Sequence, residues 1–186
     1  MKLTRTLKLL IALAVASQLA SWTMAAEKYG KSDKQTQGTS NLSKKEVNFI
    51  NDAAEGGMME VQMGQLAQQK GQSPDVKSLG QRLVTDHQKA SDELKQLASN
   101  KGITVPSQLP PKHQKMIDKL SSASDFDKTF KDMAVKDHKK DIKEFERLSK
   151  SAEDQDLKAW VTKTLPTLQE HLRMAEQLGV TRTTSR

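Results

Sequence analysis

The sequence contains no cysteine, which excludes disulfides and excludes lipid attachment at a cysteine behind a leader. Aromatic residues make up only 4% of the chain, while Leu, Ala, Lys, Gln and Asp are frequent, a balance that favours helix over sheet. No block of basic residues is interleaved with aromatics; Lys alternates with Asp and Glu along the chain, so the pattern gives no support to nucleic-acid binding. Only one segment is continuously apolar, from Leu9 to about Ala20. At roughly 12 residues it falls short of the roughly 20 needed to span a bilayer as a helix.

That run has the anatomy of a secretory leader. Lys2, Arg5 and Lys8 precede it and the small residues Ala25 and Ala26 follow, so residues 1–26 are expected to be a signal peptide cleaved after Ala25 or Ala26. The leader holds three of the 30 basic and none of the 23 acidic residues. The remainder therefore carries 27 basic against 23 acidic side chains, a net charge of +4. No membrane span is expected after cleavage. Residues 27–42, rich in Ser, Thr, Gln and Gly and without periodicity, read as a disordered polar linker, and residues 181–186 as a disordered tail.

Between them, residues 43–180 carry the punctuation of a helical domain. "SKKE" is a capping box, Ser43 with Glu46, opening a helix that runs to about Lys70. Gly71 ends it, and Ser73 with Pro74 restarts the chain at once as N-cap and first helical residue, giving a tight antiparallel hairpin. The second helix ends near Asn100. A connection with three prolines follows, holding one short amphipathic helix over about 111–122. The third long helix is expected to open at Ser124, with Asp127 completing a capping box, and to run to about Lys150. The fourth spans about 154–178 and is closed by Gly179, with a kink expected at Pro166. A long crossover lets the third long helix run parallel to the second, so the expected fold is an all-α four-helix bundle with a crossover carrying a short extra helix.

The inward faces of these helices are not wholly apolar. Val76, Gly80, Leu83, His87, Ala90, Leu94 and Leu97 alternate at spacings of four and three, the inward seam of a bundle helix, and His87 sits on it. The fourth long helix repeats the pattern with Leu157, Val161, Thr164, Leu168, His171, Ala175 and Leu178. Ala134, His138, Asp141, Phe145 and Leu148 form a poorer seam in the third. In the first, Ala53, Gly57, Glu60, Gly64 and Ala67 make a stripe of small residues around Glu60, and its glycines call for close approach of a neighbour. Glu60 and His171 lie about 17 residues into their helices, His87 and His138 about 13, so with this topology all four fall within about one turn of a common layer.

Three imidazoles and a carboxylate in one layer suit a transition metal, with Zn, Cu or Fe as the candidates. Glu60, His87, His138 and His171 are the candidate ligands. Asp86 and Asp137 are the candidates to orient the rings from behind, with Glu55 and Glu170 nearby. The competing reading is that neutral histidines bond to Glu60, to one another or to water and only fix packing register. Met58, Met59 and Met63 invite a copper reading, but core packing explains them better. His113 is expected on the solvated surface, and Trp160 near one end of the bundle.

"FINDAAEGGMMEVQMGQLA", "LGQRLVTDHQKASDELKQLA", "DFDKTFKDMAVKDHKKDIKEFE" and "VTKTLPTLQEHLRMAEQL" together resemble the DUF4142 family over residues 43–178. The resemblance implies a ferritin-like bundle in an exported bacterial envelope protein. It maps the family's characteristic positions onto Glu60, Asp86 with His87, His138, and Leu165, Pro166, Leu168 with His171. Di-iron ferritins pair Glu-x-x-His, which here would require carboxylates at 84 and 168; the chain has Val84 and Leu168, so ferroxidase chemistry loses its support. The resulting expectation is a periplasmic, non-enzymatic binding or envelope-stress accessory protein, free or peripheral to the outer membrane, with one mononuclear metal site. The alternatives are a module that contacts another envelope protein, and a metal-dependent redox enzyme.

Overall fold

A computed structural model describes residues 42–179; the expected leader, the linker up to residue 41 and the tail lie outside the described residues. Five helices follow one another: α1 (Lys44–Lys70), α2 (Pro74–Asn100), α3 (Pro111–Ser121), α4 (Phe126–Ser151) and α5 (Gln155–Gln177). α1, α2, α4 and α5 form the bundle and α3 lies in the crossover. Among the described residues no helix is long and apolar enough to cross a membrane.

The helix starts follow local chemistry. Ser43 and Glu46 close the capping box on α1, and Ser73 caps α2 ahead of Pro74. At α4 the structure corrects the expected start: Asp125, not Ser124, is the N-cap, its carboxylate accepting the Lys128 amide at 3.1 Å. Asp127 is not part of a capping box. Its two oxygens instead accept the Gln72 and Ser73 amides at 3.0 and 2.8 Å, so an acid at the start of α4 secures the turn into α2. Replacing Asp127 with Ala is expected to destabilise the protein by about 1–3 kcal/mol, because two amide donors lose a charged acceptor; urea denaturation measures it.

Such ties define the topology. Glu46, at the start of α1, accepts the Glu153 and Asp154 amides at 2.9 and 3.0 Å, which places the starts of α1 and α5 together. Lys101, just past α2, pairs with Asp154 and Asp156 at 2.6 and 2.7 Å at the same end. At the other end Asp127 joins the starts of α4 and α2, and the Lys131 ammonium donates to the Leu178 carbonyl. α1 and α5 therefore run one way and α2 and α4 the other, the crossover topology.

The α1–α2 hairpin is close-packed at its glycines. A Cβ on Gly64 would lie 2.5 Å from the Gly80 carbonyl oxygen, and one on Gly80 would lie 2.6 Å from the Ala67 Cβ and 2.8 Å from the Gly64 carbonyl oxygen. Backbone leaves little room to yield. Gly80→Val is expected to separate the helices and lower stability by about 3 kcal/mol or more, read as a drop in melting temperature.

Two apolar clusters fill the bundle. One gathers Phe49, Ile50, Leu94, Phe145, Trp160 and Val161, with their neighbours; the other gathers Met59, Met63, Leu79, Leu83, Phe130 and Ala175. Trp160 is buried, its ring centroid 6.4 Å from Phe49 and 5.5 Å from Phe145. α5 continues through Pro166 as one helix and is followed by Gly179 at φ 74°. On α2, α4 and α5 the sequence positions between the two clusters hold a buried histidine, His87, His138 and His171, and on α1 the buried Glu60 lies at the edge of the second cluster, between Met59 and Met63.

Candidate metal centre

His87 comes from α2, His138 from α4 and His171 from α5, each carried inward by its seam, with relative exposures of 7%, 2% and 0%. One ring nitrogen from each lies within 4.8 Å of the others. The outward partners decide which nitrogens carry protons. His138 Nδ1 is 2.9 Å from the Ala134 carbonyl oxygen, which only accepts, so the hydrogen is on Nδ1. His171 Nε2 is 2.9 Å from Asp86 Oδ2. Burial opposes ionisation of Asp86, but hydrogen bonds from His171 and Arg82 outweigh it and hold its carboxyl below the usual range, so Nε2 carries the proton there.

The inner nitrogens of the two neutral rings are thus bare. His138 Nε2 and His171 Nδ1 face each other at 3.3 Å, and in neutral rings with these tautomers no hydrogen lies between them. His87 Nε2 is buried beside them without a hydrogen-bond partner. Protonation would relieve the contact but is opposed. Burial depresses all three imidazoles, His138 to about 4 with the neighbouring His171 adding to the effect, His87 well below its ordinary value, and His171 less because Asp86 counteracts burial.

The structure brings the fourth candidate to the opposite edge of the ring. Glu60 Oε1 is 3.6 Å from His138 Nδ1, on the side away from the three converging nitrogens. Its carboxyl is fully enclosed, and neither oxygen has a donor. Burial first, and then the nearby Asp137 carboxyl, raise its pKa well above the ordinary value. Both effects favour the protonated form of Glu60. One helical turn past Asp137, burial raises Asp141 to about 7.

Glu170 turns outward to Arg173 at 2.7 Å and Glu55 pairs with Lys112 at 3.3 Å. Met59 and Met63 are enclosed in the apolar core, away from the surface. His113 departs from its expected place: it is half-buried, its Nδ1 enclosed without a partner, and burial, followed by Lys112, lowers its pKa. The signal was present in the sequence: His113, Ile117 and Leu120 stand at spacings of four and three, and the last two are buried. Asp141 was on the seam in the sequence, and its position one turn past His138 was the signal of its burial.

The site opens toward solvent between α2 and α5. A pocket of about 90 Å³ there has His87 and His171 on its wall with Asp86, Ala90 and Thr164. Lys163 and Glu93, which also line it, pair at 2.7 Å.

Fold and site define a four-helix bundle with a crossover and a buried three-histidine centre. The chain belongs to the DUF4142 family, a domain of unknown function, whose sequence profile matches residues 31–178. No functionally curated protein matches it significantly. Among solved structures it is similar to CopM in the Cu(I)-bound form, with TM-score 0.62 and 17% identity over 71% of this chain and 93% of that one. The Cu(II)-bound form of CopM gives 0.63 and 19% over the same shares. A DUF305 fragment from Deinococcus radiodurans gives 0.63 and 12% over 73% of this chain and 95% of that one. At these identities the likeness is one of fold.

Proposed function

We propose that this chain is an exported, non-enzymatic metal-binding protein that holds one transition-metal ion on His87, His138 and His171. The observation that carries the reading is the pair of bare imidazole nitrogens facing each other at 3.3 Å. Two ligands about 2.0–2.1 Å from a tetrahedral ion lie about 3.3 Å apart. Without a cation the same contact sets one lone pair against another. The rings are also supported in the manner of metal ligands, His171 by a carboxylate and His138 by a backbone carbonyl. Imidazole donors suit copper and zinc, and CopM, a similar fold, has been crystallised with Cu(I) and Cu(II). Oxygen-activating di-iron chemistry is not part of the proposal, because Val84 and Leu168 stand where its carboxylates are needed.

Export rests on the leader read from residues 1–26, and we place the mature protein in the periplasm. The test is metal content by mass spectrometry of the full-length gene product, expressed without a tag and recovered after processing, beside the His87→Ala, His138→Ala double variant. Near-stoichiometric copper or zinc is expected in the wild type, and an affinity at least about 100-fold weaker in the variant. Equal uptake by both would remove the site.

The second reading is a structural module of the envelope in which the histidines serve packing alone. It is favoured by the position of the polar layer between two apolar clusters, where it fixes helix register. Its expected result is a changed melting temperature in the double variant with unchanged metal content.

A further inference from the structure

The three imidazoles leave a four-coordinate ion one ligand short. Glu60 stands behind His138 and Asp86 behind His171, and among the described residues the compact donor group contains the three histidines alone. The Thr164 hydroxyl, on the pocket wall, already donates to the Trp160 carbonyl at 2.8 Å. Of the trio, His87 and His171 line the pocket and His138 does not. A second void of about 30 Å³ backs onto the same wall, sharing His87, Ala90, Thr164 and Leu168.

We infer that the pocket between α2 and α5 is the seat of an exogenous fourth ligand, a water, hydroxide or compact anion that reaches the ion between His87 and His171. The inference rests on the metal reading above. Its size sets the class: about 90 Å³ has room for a few water-sized groups, which admits a two- or three-atom anion and excludes a bulky chelate. Its charge agrees. Asp86 is engaged by His171 and Arg82 and Glu93 by Lys163, while Lys89 on the lining makes no ion pair with another described residue. A centre of this kind has an exchangeable position, so the ion is reachable by small donors without unfolding the bundle.

The test uses Co(II), whose visible bands report coordination, in the same tag-free protein, with azide as the probe anion. Saturable change of the cobalt bands at millimolar azide is expected in the wild type. Ala90→Leu and Thr167→Leu, both on the pocket lining, fill the pocket and leave the three histidines in place, and are expected to retain one Co(II) and to bind azide about ten-fold or more weakly. Cobalt bands that ignore azide would mean a closed coordination sphere, and an equal azide response in both filled variants would mean another route; either overturns the inference and leaves the metal reading standing. A wild type that takes up neither Co(II), Zn(II) nor copper overturns both.

Discussion

Glu60→Gln is expected to stabilise the metal-free protein by about 1–3 kcal/mol at pH 7.5 and, in the same molecule, to weaken binding of a divalent ion about ten-fold or more. The opposite signs follow from one side chain. Without metal, Glu60 is an enclosed carboxyl whose oxygens find no donor, beside Asp137. Its raised pKa means that folding takes up a proton relative to the unfolded chain. The associated penalty is absent below the unfolded value and grows as pH rises toward the folded one. Glutamine has no proton to lose and brings an amide donor toward Asp137, so the gain should be present at pH 7.5 and vanish near pH 4. With a dication on the three neutral imidazoles, Asp86 and an ionised Glu60 on the far edges of two rings together neutralise the charge. Removing one of them leaves that charge uncompensated in a dry interior. Urea denaturation at both pH values and a chelator-competition titration measure the two halves. A Glu60→Gln protein that binds metal as tightly as wild type would place this carboxyl outside the centre.

Metal affinity is expected to fall by no more than about ten-fold per pH unit between pH 7 and pH 5, the cost of the single proton that Glu60 gives up when the ion binds. Protons compete with metal for imidazole nitrogen. Three solvated histidines would lose roughly 10⁴-fold in affinity between pH 7 and pH 5. Here burial has already excluded the proton, with His138 depressed from 6.5 to about 4 and His87 and His171 lowered as well. A histidine lowered in this way removes stability as pH falls from its unfolded value toward its folded one, about 3 kcal/mol for His138 over that window. Asp141, raised from 3.8 to about 7, acts in the other direction and removes stability as pH rises through the same range. The two offset between pH 5 and 7, so the bundle should stay folded while affinity is measured. Competition against a chromophoric chelator at pH 5, 6 and 7 reads it directly, and a loss of several hundred-fold by pH 5 would contradict the buried, neutral state of the rings.

The layer of polar residues was legible in the sequence because it depends only on helix period and helix starts. Four-and-three spacing placed His87 and His171 on inward seams, and the caps at Ser43 and Ser73 fixed the depth of Glu60 and His87. Side-chain direction was not legible, since periodicity assigns a residue to a face and says nothing about which edge of a ring it meets. Glu60 consequently shares the layer but approaches His138 at Nδ1, whereas the inner nitrogens converge on the other edge. Nor were the long-range caps. Asp127 lies three residues past Ser124 and matches a local capping box, yet the turn into α2 stands over it and takes its oxygens. Glu46 fills its local capping role and, with its other oxygen, receives two amides more than a hundred residues away.

The crossover gives the centre a consequence for assembly. α1 with α2 and α4 with α5 are hairpins of neighbours in sequence, so each can form by local contacts before the connection through α3 closes. The ligands are divided between them, His87 on one and His138 with His171 on the other. Neither half holds all three ligands alone, so an ion bound as proposed would act as a clasp across the joint between them. Metal supply would then govern how long the two halves remain apart, and a chain nicked within the crossover would still have a reason to rejoin.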